Sequence, residues 1–199
     1  MLLTYGGGQV NIFVLDEDPV KAAQAMDCVR VPKMVTESAQ MMASALRRHG
    51  ATDEQMPLTK SGTPYKGGYA HHPCTVWAGD TFGNFSWLSD HANALLVEYT
   101  WRFNKEHACA NPISQLWHVG IDHVDDDDFN VTPFALAMPD EYRPTHGTVT
   151  LPTDDGKYIV THAIGQEAID AYRRYYHTKT FARWEKGTPA PNWWQGVIA

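Results

Sequence analysis

The sequence predicts a mainly α protein: a compact helical single domain with a short N-terminal strand and a small β-hairpin insertion. Three observations carry that expectation. Phe85, Leu88, Ala92, Leu95, Tyr99 and Phe103 recur at spacings of three and four, which draws one apolar stripe along a long helix. Met34, Ala39, Met41, Met42 and Ala45 fit the same spacings ahead of Gly50, and glycine just past such a run marks a helix end. The β signals are confined to the apolar run Asn11–Asp16 and to two β-rich runs around Asp155-Gly156.

Residues 1–10 read as a flexible extension around Gly6-Gly7-Gly8, and residues 11–199 as one domain. Asn11–Asp16 (NIFVLD) is rich in strand formers and predicts the first strand. Asp18 as N-cap and Pro19 at the first helical position open a helix that runs to about Cys28. A second helix spans Val31–Arg48, and Ala51–Tyr69, punctuated by proline and glycine, is a loop. Pro73 opens a short helix through Trp77, and Asp80 or Thr81 caps the long one, which reaches about His107. Ala108–Thr132 reads as irregular and acidic, and Pro133–Tyr142 as one helical turn stopped by Pro139. Gly147–Leu151 and Lys157–Thr161 form the arms of the hairpin insertion 147–161. A last helix covers Gln166–Glu185, and the proline-rich end closes on Trp193-Trp194. The chain has no internal repeat and no low-complexity segment.

A length of 199 residues suits one domain that needs no staples. Cys28, Cys74 and Cys109 form no CxxC pair, so the spacing supports neither a zinc knuckle nor a disulfide framework and fits a reducing compartment. No apolar run approaches the roughly 18 residues of a membrane span, and MLLTYGGGQV lacks the pattern of a signal peptide. The expected location is the cytoplasm, with no membrane partner. A net charge of −7 argues against broad non-specific binding to nucleic acid. Basic residues nevertheless cluster twice, in Lys21–Arg48 and in Tyr172–Lys186, while acid concentrates in Asp122–Asp128 and Pro139–Asp155. The two basic segments are either one phosphate-facing side or two separate solvated helix faces.

Glu37 lies mid-helix among apolar residues. Such a carboxylate serves as a general acid or base when its pKa is raised; otherwise it is a boundary group paired with Lys33, one turn earlier. His71-His72-Pro73 stands at a loop-to-helix junction, where histidine either orients a substrate or caps the helix. Arg102 is four residues from Glu98 and is either a phosphate fork or an ordinary ion pair. His118, Asp122, His123 and Asp125–Asp128 have no recognisable metal spacing and read as a solvated acidic loop. Tyr172, Tyr175, Tyr176, Phe181, Trp184, Trp193 and Trp194 interleave with Arg173, Arg174, Lys179 and Arg183. This pattern suits either base stacking or a terminal helix packed on the core. GxSxG, Walker and GxGxxG motifs are absent, and no metal or cofactor is expected.

The run NIFVLDEDPVKAAQ, PKMVTESAQMM, HHPCTVWAGDTFGNFSWL, EYTWRFNKEH, TPFALAMPDEY, AYRRYY, FARW and PNWW resembles a group of phage and bacterial proteins. That likeness covers most of the chain, with Gly147–Thr161 as an insertion, and implies no activity. More remotely, the first half resembles the pyrimidine-dimer DNA glycosylase family of phage endonuclease V type. The shared order is an apolar start (Asn11–Asp16), a helix bearing Glu37, His72-Pro73, and a long helix ending in Arg102-Phe103. The resemblance implies a compact helical enzyme that flips a base, attacks sugar C1′ with its N-terminal amine and uses a helix glutamate. Glu37 then takes the catalytic carboxylate position, Asn11 the amine position, and Arg30 and Lys33 face DNA. His72 and Arg102 position phosphate or base, Arg173 and Lys179 add phosphate contacts, and Trp77, Tyr176 and Trp184 stack on the base.

Two features depart from that family: the acidic net charge and the ten residues ahead of Asn11. Either translation starts at Met1, or it starts at Val10 from a GTG codon with Tyr5–Gln9 encoded by a ribosome-binding stretch. The sequence supports a DNA base- or nucleotide-acting enzyme of N-glycosylase or lyase type. Its alternatives are a non-catalytic phage accessory protein that binds a nucleotide or host protein, and a transferase that modifies DNA bases. An enzyme predicts Glu37, His72 and Arg102 converging in an open cleft. A binding module predicts them scattered, or Glu37 closed in a pair with Lys33.

Overall fold

The computed structural model describes residues 10–124, 128–153 and 159–197. The glycine triplet, Asp125–Asp127 and the turn Asp154-Asp155-Gly156 lie outside the described residues. α1 (Pro19–Gln24) begins where the Asp18 carboxylate accepts the amides of Val20 and Lys21. It is shorter than expected. The chain turns at Asp27, whose buried carboxylate accepts the amides of Val29 and Arg30 and so starts the next helix. α2 (Arg30–Arg48) then runs for five turns and buries Met34, Val35, Met41, Met42 and Leu46 completely. Each such side chain contributes about 1.5–3 kcal/mol.

α3 (Pro73–Ala78) has His72 as its N-cap, and α4 (Phe82–Phe103) has Thr81. α4 ends at Phe103, four residues before the expected His107, and is capped by Asn104 in the left-handed conformation. It is the central helix and packs against α1, α2, α3 and α5. Segment 108–132 is not irregular throughout, because α5 (Ala110–His123) occupies most of it. Ile113, Leu116 and Gly120 bury one face at helical spacing. A Cβ on Gly120 would stand 2.1 Å from the Phe85 ring, so glycine is what lets the two helices approach. His118 and His123 therefore sit on a helix, and the His123 ring bonds the His49 carbonyl and the Gln55 amide.

The helical turn expected in Pro133–Tyr142 is in part a strand. β1 (Phe134–Ala135) precedes a single 3-10 turn at Asp140–Tyr142. β2 (Thr148–Pro152) and β3 (Ile159–Ala163) are the arms of the expected hairpin, and β1 adds to them in an antiparallel sheet of order β1-β3-β2. α6 (Gly165–Tyr176) stops nine residues before Glu185. The Thr178 hydroxyl donates to the Tyr175 carbonyl and the chain turns away.

Asn11–Asp16 is no strand. Val10, Ile12, Val14 and Leu15 are sealed in the core, and among the described residues no strand pairs with them. The Asn11 carboxamide accepts the Phe13 amide, and Phe13 takes a φ of +39°. That left-handed turn in a bulky residue breaks the extended conformation, and the packed surroundings hold the strain. Strand composition here reflects burial and not ladder pairing.

Candidate functional site

The N-terminal half of α2 carries Arg30, Lys33 and Glu37 along one edge. Asn11, where the buried segment enters the core, crosses this edge. Glu37 is 6% exposed and bonds in two directions. Its Oε1 lies 2.7 Å from Lys33 Nζ, and its Oε2 accepts the Asn11 backbone N–H at 3.1 Å. Burial raises the Glu37 pKa, and the Lys33 and Asn11 contacts pull against that rise. The Asn11 side chain donates to the Ala137 carbonyl at 2.8 Å. The Tyr172 hydroxyl bonds the same stretch, donating to the Ala135 carbonyl and accepting the Ala137 amide. Cys74 sits beneath, fully buried, with its thiol pushed up to about 12 by burial, so it is not a nucleophile.

The second basic segment meets the first. The Phe13 ring stacks on Tyr175 at 6.1 Å, and Tyr175 tilts against Tyr142 at 5.5 Å. Lys179 Nζ stands 3.4 Å above the Tyr175 ring and 5.7 Å from Phe13. Burial lowers the Lys179 pKa to about 8, with repulsion from Arg30 and Lys33 adding to it. Arg30 itself bonds Asp27 at 2.7 Å and lies over the Tyr176 ring. Arg30, Lys33 and Lys179 thus share one rim, with Glu37 below it and half-buried Tyr142 and Tyr175 alongside.

The other residues singled out in the sequence lie elsewhere or are occupied. Arg102 does not face this rim. Its guanidinium is fully buried and satisfied at every N–H, by Glu98, the carbonyls of Gln24 and Met26, and Cys28 Sγ. Arg173 bonds the Leu15 carbonyl through Nε and Nη2, at 3.0 and 2.8 Å, and lies over Trp193. The His72 Nδ1 accepts the Cys74 amide, and burial holds its pKa down to about 4, so the ring is a neutral cap. Trp77 is fully buried, donates to the Thr132 carbonyl and packs on Trp87 and Phe134, so it presents no face to a base. Tyr176 is likewise sealed, its hydroxyl donating to Asp27. Trp184 is half-buried, donates to the Ala25 carbonyl and packs on Trp194.

The expected open cleft holding Glu37, His72 and Arg102 is therefore not formed. Two cavities lie away from Glu37. One of about 370 Å³ is lined by Trp87, Phe134 and Ile164, and one of about 550 Å³ lies between α1 and α4. Among the described residues, no three His, Cys, Asp or Glu side chains group as metal ligands, and no helix is long and apolar enough to cross a membrane. Phe13 and Tyr142 are the rim aromatics that sequence reasoning did not assign to a site, whereas Tyr175 belongs to the aromatic and basic run singled out there. The four-residue step from Tyr175 to Lys179 was the available signal for this rim. No family model, curated protein or solved structure matches the chain.

Proposed function

We propose that this chain is a DNA base- or nucleotide-acting enzyme of N-glycosylase or lyase type, with Glu37 as its central group. The observation that carries the reading is the 3.1 Å contact between the Glu37 carboxylate and the Asn11 backbone nitrogen. Breaking an N-glycosidic bond sends its electron pair to the base, while positive charge grows at C1′ and the ring oxygen. A buried carboxylate stabilises that charge, and one with a raised pKa also takes the proton that an attacking amine or water releases. In a chain that begins at Asn11, the nitrogen beside Glu37 is an amine, as the resemblance to the pyrimidine-dimer glycosylases requires. The cationic rim of Arg30, Lys33 and Lys179 suits phosphate, and Tyr142 and Tyr175 suit a base.

A second reading, a non-catalytic nucleotide- or DNA-binding protein, is favoured by two observations. His72 and Arg102 are spent on the fold and do not converge with Glu37 in an open cleft. Glu37 is already paired with Lys33 at 2.7 Å. One experiment separates the two readings. Oligonucleotides with a pyrimidine dimer or an abasic site are incubated with the full chain, a form beginning at Asn11, and Glu37→Gln of each. Base release, strand cleavage and borohydride trapping are measured, with anisotropy for binding. The enzyme reading expects release or trapping by at least one form, reduced by about 100-fold or more in Glu37→Gln. Binding without either reaction in any form leaves the second reading in its place.

A further inference from the structure

We infer that the groove between α1 and α4 is a docking site for a cationic amphipathic helix of a partner protein. Side chains of α4 hold the two elements in place by bonding backbone carbonyls before, within and just after α1. Trp87 Nε1 donates to the Glu17 carbonyl at 2.7 Å, and His91 Nδ1 bonds the Pro19 carbonyl at 2.9 Å. At the other end Arg102 donates to the Gln24 and Met26 carbonyls at 3.1 and 2.6 Å. The groove, of about 550 Å³, therefore has its shape before anything enters it. A preformed site spares its ligand the cost of ordering the walls.

Much of its lining is apolar and open to solvent. Ala94 and Val97 line it from α4 and Val20 from α1, and Trp101 continues the α4 stripe one turn on. Val97 is 66% exposed and Trp101 75%, although α4 is the central helix of the fold. Neighbouring uncovered apolar side chains of this size mark an interaction surface, and tryptophan is a favoured anchor in such surfaces. From Asp90 to Trp101 the stripe is about 16 Å long, roughly three helical turns.

Charge around the stripe selects the occupant. Asp18, Asp90 and Glu98 line the groove, and among the described residues no Lys or Arg does. Glu98 is engaged by Arg102, and Asp18 Oδ1 caps α1. Asp90 makes no ion pair or hydrogen bond among the described residues, and partial burial raises its pKa. A cation brought beside Asp90 offsets that burial. Phosphate and anionic lipid are repelled by such a lining. A second copy of the same face is repelled too, because a two-fold contact sets acid against acid. An extended segment gains no backbone pairing here, since the groove is built from helices and offers no open sheet edge. A helix satisfies its own backbone and lays an apolar face on the stripe, with Lys or Arg beside that face meeting Asp90 and Asp18.

The test is fluorescence anisotropy of the full chain with a labelled helical peptide of about 14 residues, long enough to span the stripe. The peptide carries Leu on one face with Lys on either side, and a control has Glu in place of every Lys. The Lys peptide should bind, the Glu peptide should not, and salt should weaken the complex. Val97→Asp and Trp101→Ala, both at exposed positions, should each weaken binding by about tenfold or more. Asp90→Lys should weaken the Lys peptide and strengthen the Glu peptide, a reversal that loss of folding cannot produce. No binding of the Lys peptide overturns the inference. So does equal binding of both peptides, or binding that Val97→Asp and Trp101→Ala leave unchanged. A dimer of the full chain in sedimentation that Val97→Asp dissociates assigns the groove to a second copy and overturns it as well. The groove lies away from Glu37, so each outcome is independent of the N-glycosylase reading.

Discussion

Arg102 is a test of whether an arginine near a helix end serves the ligand or the fold. It bonds Glu98 through Nε and Nη2 at 2.9 and 2.7 Å, the Met26 carbonyl at 2.6 Å and the Gln24 carbonyl at 3.1 Å. Nη1 also reaches Cys28 Sγ at 3.8 Å. Lysine in its place keeps the charge but has three donors on one nitrogen, so at least two of these contacts are lost. Each buried acceptor left unmade costs about 1–3 kcal/mol, and Arg102→Lys should lose roughly 3 kcal/mol. For a chain of this size that lowers the thermal midpoint by about 6–12 °C. The unfolding midpoint is read by circular dichroism and DNA binding by anisotropy below the transition. Stability should fall while binding changes by less than about twofold. An unchanged midpoint with weakened binding would refute the reasoning and return Arg102 to the phosphate.

Acid sensitivity should come partly from two buried histidines. Burial holds both His72 and His91 down to about 4 from an ordinary 6.5. The unfolded chain takes up protons that the fold refuses, so their stability is complete above pH 6.5 and is lost as pH falls toward 4, by up to about 3 kcal/mol each. His91→Asn should therefore show a smaller drop in urea stability between pH 7 and 4.5 than the parent, and equal drops would count against it. Gly83 tests packing. Gly83 is the second residue of α4, where alanine ordinarily gains up to about 1 kcal/mol over glycine. Here its Cβ would meet the Asn130 carbonyl oxygen at 2.4 Å and that of Phe129 at 2.5 Å. Gly83→Ala should instead lower the thermal midpoint by about 3–8 °C, and a rise would show that the 128–132 loop yields.

Much of the helical framework was legible because its signals are local. The stripe from Phe85 to Phe103 and the caps Asp18 and Thr81 lie within a few residues of the helices they define. The pairs Lys33–Glu37 and Glu98–Arg102 were equally readable from four-residue spacing. α5 was missed because the acid beyond His118 masked the Ile113, Leu116 and Gly120 face. Asn11–Asp16 was misread because apolar β-formers suit any sealed segment, and only a partner strand makes them a ladder.

The helical periods, the caps and the salt-bridge spacings are properties of adjacent residues, and the chain order alone settles them. The candidate site is different in kind. Asn11 and Glu37 are 26 positions apart, and Lys179 reaches Arg30 and Lys33 from the far end of the chain. Their meeting depends on how α2, α6 and the buried segment 10–15 seat their apolar faces against one another. The same packing sends Arg102, Trp77 and Tyr176 into the interior. Residue type leaves a buried arginine and a phosphate-facing one indistinguishable. Only the positions of distant backbone carbonyls decide between them.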